Sequence, residues 1–206
     1  MKKVSISFFN SKNVEDDILK INSSSADYVH VDVGDGLFIE RKFHPIKELN
    51  ELNGALTKRL DVHLMVEDPD KYIDDYVLLN TEYITIHCEI KKDILNYIDK
   101  IKSYGIKAGL AINPDTDIAY LEPFLEDINM IIVMSAYPGK GGQKFMYTTV
   151  DKIKELKELI GDKNIVLSVD CGINEETSKL CDTDMVVSGT FILGSENIED
   201  AINKVR

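Results

Sequence analysis

Met130-Ile131-Ile132-Val133-Met134 is a run of five apolar residues without a polar break. A strand with one wet face alternates polar and apolar residues. An unbroken apolar run belongs instead to a strand covered on both faces, as in a parallel sheet packed between helices. Short segments of this kind recur along the chain, each followed by apolar residues at helical spacing. The pattern predicts strands over 3–9, 27–33, 59–66, 82–88, 106–112, 130–134, 165–169 and 185–188. Helical stretches over 13–21, 45–52, 69–79, 94–104, 118–125, 150–160, 174–180 and 197–205 alternate with them. Strict alternation means a parallel α/β fold. Eight units without a linker or a low-complexity run predict a single (β/α)8 TIM barrel over residues 1–206. An open doubly wound sheet fits less well, because no Gly-x-Gly-x-x-Gly turn follows the first strand.

Charge and cysteine content narrow the function classes. A formal net charge of −12 argues against nucleic acid or an anionic membrane surface as partner. An anionic substrate would then need local N–H groups or a placed lysine. No apolar run reaches membrane-spanning length. Met-Lys-Lys before residues 4–9 mimics a signal peptide, but the apolar run is short and no cleavage site follows. Three scattered cysteines, Cys88, Cys171 and Cys181, read as free thiols of a reducing compartment, so a cytoplasmic location is expected. Lys3 and Lys107 read as solvated surface.

In a (β/α)8 barrel, chemistry gathers at the C-terminal ends of the strands. His30 and Asp32 close the second strand on one face, because side chains two apart point the same way. His63 closes the third strand on the same face as Met65, and Asp170 closes the seventh. Two imidazoles and two carboxylates converging from different walls suit a divalent metal such as Zn²⁺, Fe²⁺ or Mn²⁺. His87, at the end of the fourth strand, reads as a hydrogen-bonded pocket wall. Glycine makes a second constellation: Pro138-Gly139-Lys140-Gly141-Gly142-Gln143, Cys171-Gly172 and Ser188-Gly189-Thr190 follow the last three strands. Loops in that position commonly hold phosphate through exposed N–H groups.

These motifs resemble the ribulose-phosphate 3-epimerase family from Ser7 to about Gly189. The resemblance rests on His30-Val31-Asp32-Val33-x-Asp35-Gly36, Leu60-Asp61-Val62-His63-Leu64-Met65-Val66, Gly109-Leu110-Ala111-Ile112-Asn113-Pro114, Val133-Met134-Ser135, Pro138-Gly139-x-Gly141-Gly142-Gln143-Lys144-Phe145 and Val169-Asp170-x-Gly172. It implies a metal-dependent carbohydrate epimerase acting on a phosphorylated ketose. His30, Asp32, His63 and Asp170 would hold one divalent ion (Zn²⁺, Fe²⁺, Mn²⁺ or Co²⁺), and Asp32 and Asp170 would be the acid–base pair. Ser7, His63, Met65, His87 and Met134 would line the pocket. Gly139, Gly141, Gly142, Gln143, Gly172, Gly189 and Thr190 would hold the substrate at its phosphate end. The resemblance also implies a homo-oligomer, a dimer or a hexamer.

The chain departs from the family pattern at the mouth. Gly34 replaces Met, which is expected to remove an apolar wall. Leu37 and Glu40-Arg41 replace His and Pro-Asn, Tyr137 and Lys140 replace Asn and Phe, and Cys171 replaces Gly. The reaction type is therefore better determined than the substrate. Another ketose phosphate such as allulose 6-phosphate, or a non-catalytic sugar-phosphate-binding barrel, are the alternatives. A decarboxylase of the orotidine-phosphate type is disfavoured, since no Asp-x-Lys-x-x-Asp motif follows His30.

Overall fold

The computed structural model describes residues 1–140 and 142–206. Its strands in chain order are β1 (Lys3–Ser7), β2 (Tyr28–Asp35), β3 (Lys42–Phe43), β4 (Arg59–Met65), β5 (Thr81–His87), β6 (Lys107–Ile112), β7 (Met130–Met134), β8 (Val166–Asp170) and β9 (Met185–Val187). The helices are α1 (Val14–Ser23), α2 (Ile46–Leu52), α3 (Asp70–Tyr76), α4 (Ile94–Ser103), α5 (Thr148–Ile160), α6 (Glu175–Leu180), α7 (Thr190–Leu193) and α8 (Ile198–Val205). The strand order β1-β9-β8-β7-β6-β5-β4-β2 closes through a β1–β2 pairing, so eight parallel strands form the expected barrel. β3 is a two-residue antiparallel addition to β2.

Side-chain alternation splits each strand between two environments. Val29, Val31 and Val33 of β2, with Leu60, Val62 and Leu64 of β4, face outward into the main core beneath the helices. The alternate residues fill the barrel. Its lower part holds Tyr28, Tyr83, Met130, Ile132 and Met185 in a second cluster. Lys3 and Lys107 are exposed, as expected, and their ammonium groups also lie 5.5 and 5.1 Å from the Tyr28 and Tyr83 ring centres.

Local chemistry sets the helix starts. Asn13, Asp93 and Asn197 each accept a backbone N–H of the first turn of α1, α4 and α8. Asn174 and Thr177 form a reciprocal capping box at α6. Besides the added β3, three local details differ from the sequence expectation. The first strand stops at Ser7 rather than at residue 9. The stretch Ile118–Phe124 is a 3₁₀ helix containing Pro123, whose missing N–H and ring disfavour a continuous α-helix. α7 is an additional single turn directly after Gly189.

Candidate active site

Strand register brings the polar groups to one level. Asp32 of β2 pairs with His63 of β4, Ser7 of β1 with His30, and Met134 of β7 with Asp170 of β8. β8 lies diametrically opposite β4 in the strand order. His30, Asp32, His63 and Asp170 thus approach from separate walls, and one ligand atom from each lies within 4.8 Å of the others. His30 and His63 are fully buried, and the two carboxylates nearly so.

Hydrogen bonding leaves one nitrogen of each imidazole facing the centre. His30 Nδ1 donates to Asp61 Oδ2 at 2.8 Å. Among the described residues, His30 Nε2 and His63 Nδ1 have no hydrogen-bond partner, and each lies 3.5 Å from Asp32 Oδ1. His63 Nδ1 is also 3.8 Å from Asp170 Oδ2. Two orphaned nitrogens and two carboxylates, buried together, are costly without a shared cation. Bonds of 2.0–2.2 Å to a tetrahedral ion would set its ligands roughly 3.4 Å apart, near the separations seen. The residues therefore fit a divalent metal.

The two carboxylates differ in proton affinity. Burial and then the charge of Asp32 push Asp170 up to about 6. At Asp32, burial is outweighed by the adjoining imidazoles His30 and His63, which hold it well below the usual carboxylate range. Ser7 Oγ donates to Asp32 Oδ2 at 2.6 Å and fixes its orientation.

Above the four groups opens a cavity of about 290 Å³, lined by Ser7, Asp32, Met65, Met134 and Asp170 on one side. Gly139, Gly142, Gln143, Gly172, Gly189 and Thr190 line the other. Gly141 lies outside the described residues. The Gln143 amide is engaged within its own loop, donating to the Tyr137 carbonyl and to Lys140 O at 2.9 Å. Gly172 is required by geometry. Its φ is +61°, and a Cβ there would sit 2.8 Å from the Phe145 backbone nitrogen. The neighbouring Cys171 also has a left-handed φ of 75°. Its N–H donates to Asp170 Oδ1 and its carbonyl accepts from Ser135 Oγ, so hydrogen bonds hold a conformation that suits glycine better.

His87 does not face the cavity. It is fully buried behind His63, with its Nε2 2.9 Å from His63 Nε2 and its Nδ1 2.9 Å from Glu89 Oε2. Burial lowers it to about 4, so it is neutral at ordinary pH. Sequence reasoning passed over Asp61 and Glu89. The available signal for Asp61 was the period of two, which puts it on the face of His63; Glu89 lies in the turn after β5, where that period does not hold.

A family profile described as the ribulose-phosphate 3 epimerase family matches residues 3–193. The chain is 32% identical to "Ribulose-phosphate 3-epimerase" of Bacillus subtilis, covering 92% of this chain and 90% of that one. It is 36% identical to the protein of the same name from Buchnera aphidicola, over 96% and 90% of the two chains. Among solved structures, KGPDC from Streptococcus mutans superposes with a TM-score of 0.74 at 14% identity, covering 100% of this chain and 95% of that one, which speaks for the barrel fold alone. With the motifs, the closed barrel and relatives matched along nearly their whole length, the chain belongs to the ribulose-phosphate 3-epimerase family, carbohydrate epimerases of the isomerase class.

Proposed function

We propose that this protein inverts C3 of a ketose phosphate, interconverting D-ribulose 5-phosphate and D-xylulose 5-phosphate. The observation that carries the reading is the placement of Asp32 and Asp170 on separate walls of one cavity. Inverting a carbon next to a ketone requires a proton to leave from one face and another to arrive on the opposite face. One of the two carboxylates takes the proton from one face while the other supplies one to the opposite face, and the roles exchange in the reverse direction. Ser7 orients Asp32, and Met65 and Met134 give the reacting carbons an apolar surround. His30, Asp32, His63 and Asp170 would hold one divalent ion, Zn²⁺, Fe²⁺, Mn²⁺ or Co²⁺. When bound, the ion supplies positive charge that offsets the negative charge developing on the substrate oxygens. Gly142, Gly172, Gly189 and Thr190 would receive the phosphate. Assembly into a homodimer or hexamer and a cytoplasmic location complete the proposal.

A hexulose phosphate is the second reading. A further hollow of about 420 Å³ adjoins the mouth, lined by Phe38, Glu40, Asn113, Tyr137 and Lys140, and could take a longer chain. The test is incubation of the metal-loaded protein with pentulose and hexulose phosphates in deuterated water, followed by NMR. Deuterium entering C3 of ribulose 5-phosphate with formation of xylulose 5-phosphate is expected. No exchange with any ketose phosphate would overturn the enzyme reading in favour of a binding barrel.

A further inference from the structure

Behind the four groups that face the cavity runs a line of polar side chains that the acid–base chemistry does not use. His63 Nε2 lies 2.9 Å from His87 Nε2, and His87 Nδ1 lies 2.9 Å from Glu89 Oε2. The second oxygen of Glu89 accepts the Asn113 N–H at 2.7 Å, which ties the line to the end of β6. The Phe38 ring covers His87 at a centroid distance of 4.6 Å.

The protons in this line are determined from one end. The Glu89 carboxylate only accepts, so the His87 proton sits on Nδ1. Two ring nitrogens 2.9 Å apart need one donor and one acceptor, and with the His87 proton held at Nδ1 by Glu89, His87 Nε2 accepts and His63 Nε2 donates. That leaves the lone pair of His63 on Nδ1, the nitrogen without a partner that faces Asp32 and Asp170. The carboxylate satisfies only the Nδ1–H of His87. The further link into His63 selects which of its nitrogens is free.

We propose that Glu89 and His87 are positioning residues for the metal site, fixing the tautomer and ring orientation of His63 so that Nδ1 is offered to the ion. This rests on the reading of His30, Asp32, His63 and Asp170 as metal ligands, and it assigns work to two residues outside that set. Asp61 does the equivalent for His30 in a single step, through Nδ1. His63 needs two steps because its outer nitrogen meets another imidazole.

The test measures Co²⁺ binding by chelator competition without substrate, together with ¹H–¹⁵N correlations that locate the His63 proton. Wild type should carry that proton on Nε2. Removing the acceptor in His87→Leu should raise the Co²⁺ dissociation constant about 10–100-fold, the usual effect of losing a group that orients a ligand. His87→Gln, whose amide oxygen can accept from His63, should recover most of the affinity. Glu89→Ala should leave His87 free to take either tautomer, mix the His63 tautomers and weaken Co²⁺ binding about tenfold. Glu89 lies toward the surface, so this variant remains decisive if His87→Leu does not fold. Unchanged Co²⁺ affinity in folded His87→Leu or Glu89→Ala overturns the inference alone. Wild type that takes up no Co²⁺ overturns the metal reading and this inference together.

Discussion

Ile39 occupies the space above Gly34: a Cβ at position 34 would lie 2.6 Å from Ile39 Cδ1 and would also collide with the Arg41 carbonyl. Ile39 packs with Phe9 and Met65 at the mouth of the barrel. The apolar wall that Gly34 was expected to remove is therefore supplied from the loop after β2, and Gly34 is what lets the loop come so close. Gly34→Met should displace residues 39–41 and destabilise the protein by about 1–3 kcal/mol, the usual cost of overpacking. Urea unfolding measures this. Ile39→Ala should open the mouth and raise kcat/KM for a hexulose phosphate relative to the pentulose; an unchanged ratio would show that this wall does not select substrate.

Asp32→Asn and Asp170→Asn should each lower turnover by about two to four orders of magnitude, the range for losing a general acid or base. Steady-state rates in both directions provide the check, with far-UV circular dichroism to confirm folding. Near-wild-type turnover in both variants would exclude the two-carboxylate scheme.

Metal binding should appear in stability as well as in activity. A cation that binds only the folded chain, present at a hundred times its dissociation constant, adds about 2.7 kcal/mol. Chelator-treated protein should unfold at lower temperature and lose epimerase activity, and added Zn²⁺, Mn²⁺ or Co²⁺ should restore both. His30→Ala and His63→Ala should remove the thermal response to added metal.

Lys140 is exposed and borders both hollows at the mouth. In a chain of net charge −12 it is a local cation near the loops proposed to hold phosphate. Lys140→Gln should raise KM for the sugar phosphate about two- to fivefold at low salt, as for an exposed charge interaction of up to ~1 kcal/mol. The effect should fade at high salt through screening. Equal KM values at low salt would place this ammonium out of reach of the substrate.

Glu89 makes a pH prediction whose sign follows from its environment. Burial would raise its proton affinity, but the hydrogen bonds from His87 and the Asn113 N–H outweigh burial and hold it at about 2. A depressed carboxylate contributes stability above its unfolded value of 4.5, and that contribution is lost as pH falls toward 2. Wild type should therefore exceed Glu89→Gln by an amount on the order of 2–3 kcal/mol at neutral pH. The gap should narrow between pH 4.5 and 2. Urea midpoints for both proteins across this range measure it, and a gap independent of pH would show that the stabilisation does not come from the Glu89 charge.

Much of the barrel could be read from the chain because burial on both faces leaves a strong local mark. Continuous apolar runs such as Met130–Met134 disclosed strands. Helix starts such as Asn174 and Asn197 carried their own capping chemistry. The pairs His30 and Asp32, and His63 and Met65, could be placed on common faces because the strand period is two. β3 and α7 were not anticipated: β3 depends on its pairing with Gly34 and Asp35, and α7 is a single turn.

The sequence by itself determined the alternating elements, the closed parallel barrel and the set of His and Asp side chains at the strand ends, since each depends on local periodicity and residue type. Only the tertiary structure decided which groups those side chains address. His87 turned from the cavity to the back of His63, Asp61 met His30 across a strand boundary, and Ile39 filled the space over Gly34. The physical reason is that hydrogen-bond partners and packed volumes depend on strand register and loop path. Contacts between neighbouring strands set these, and no local pattern in the chain records them.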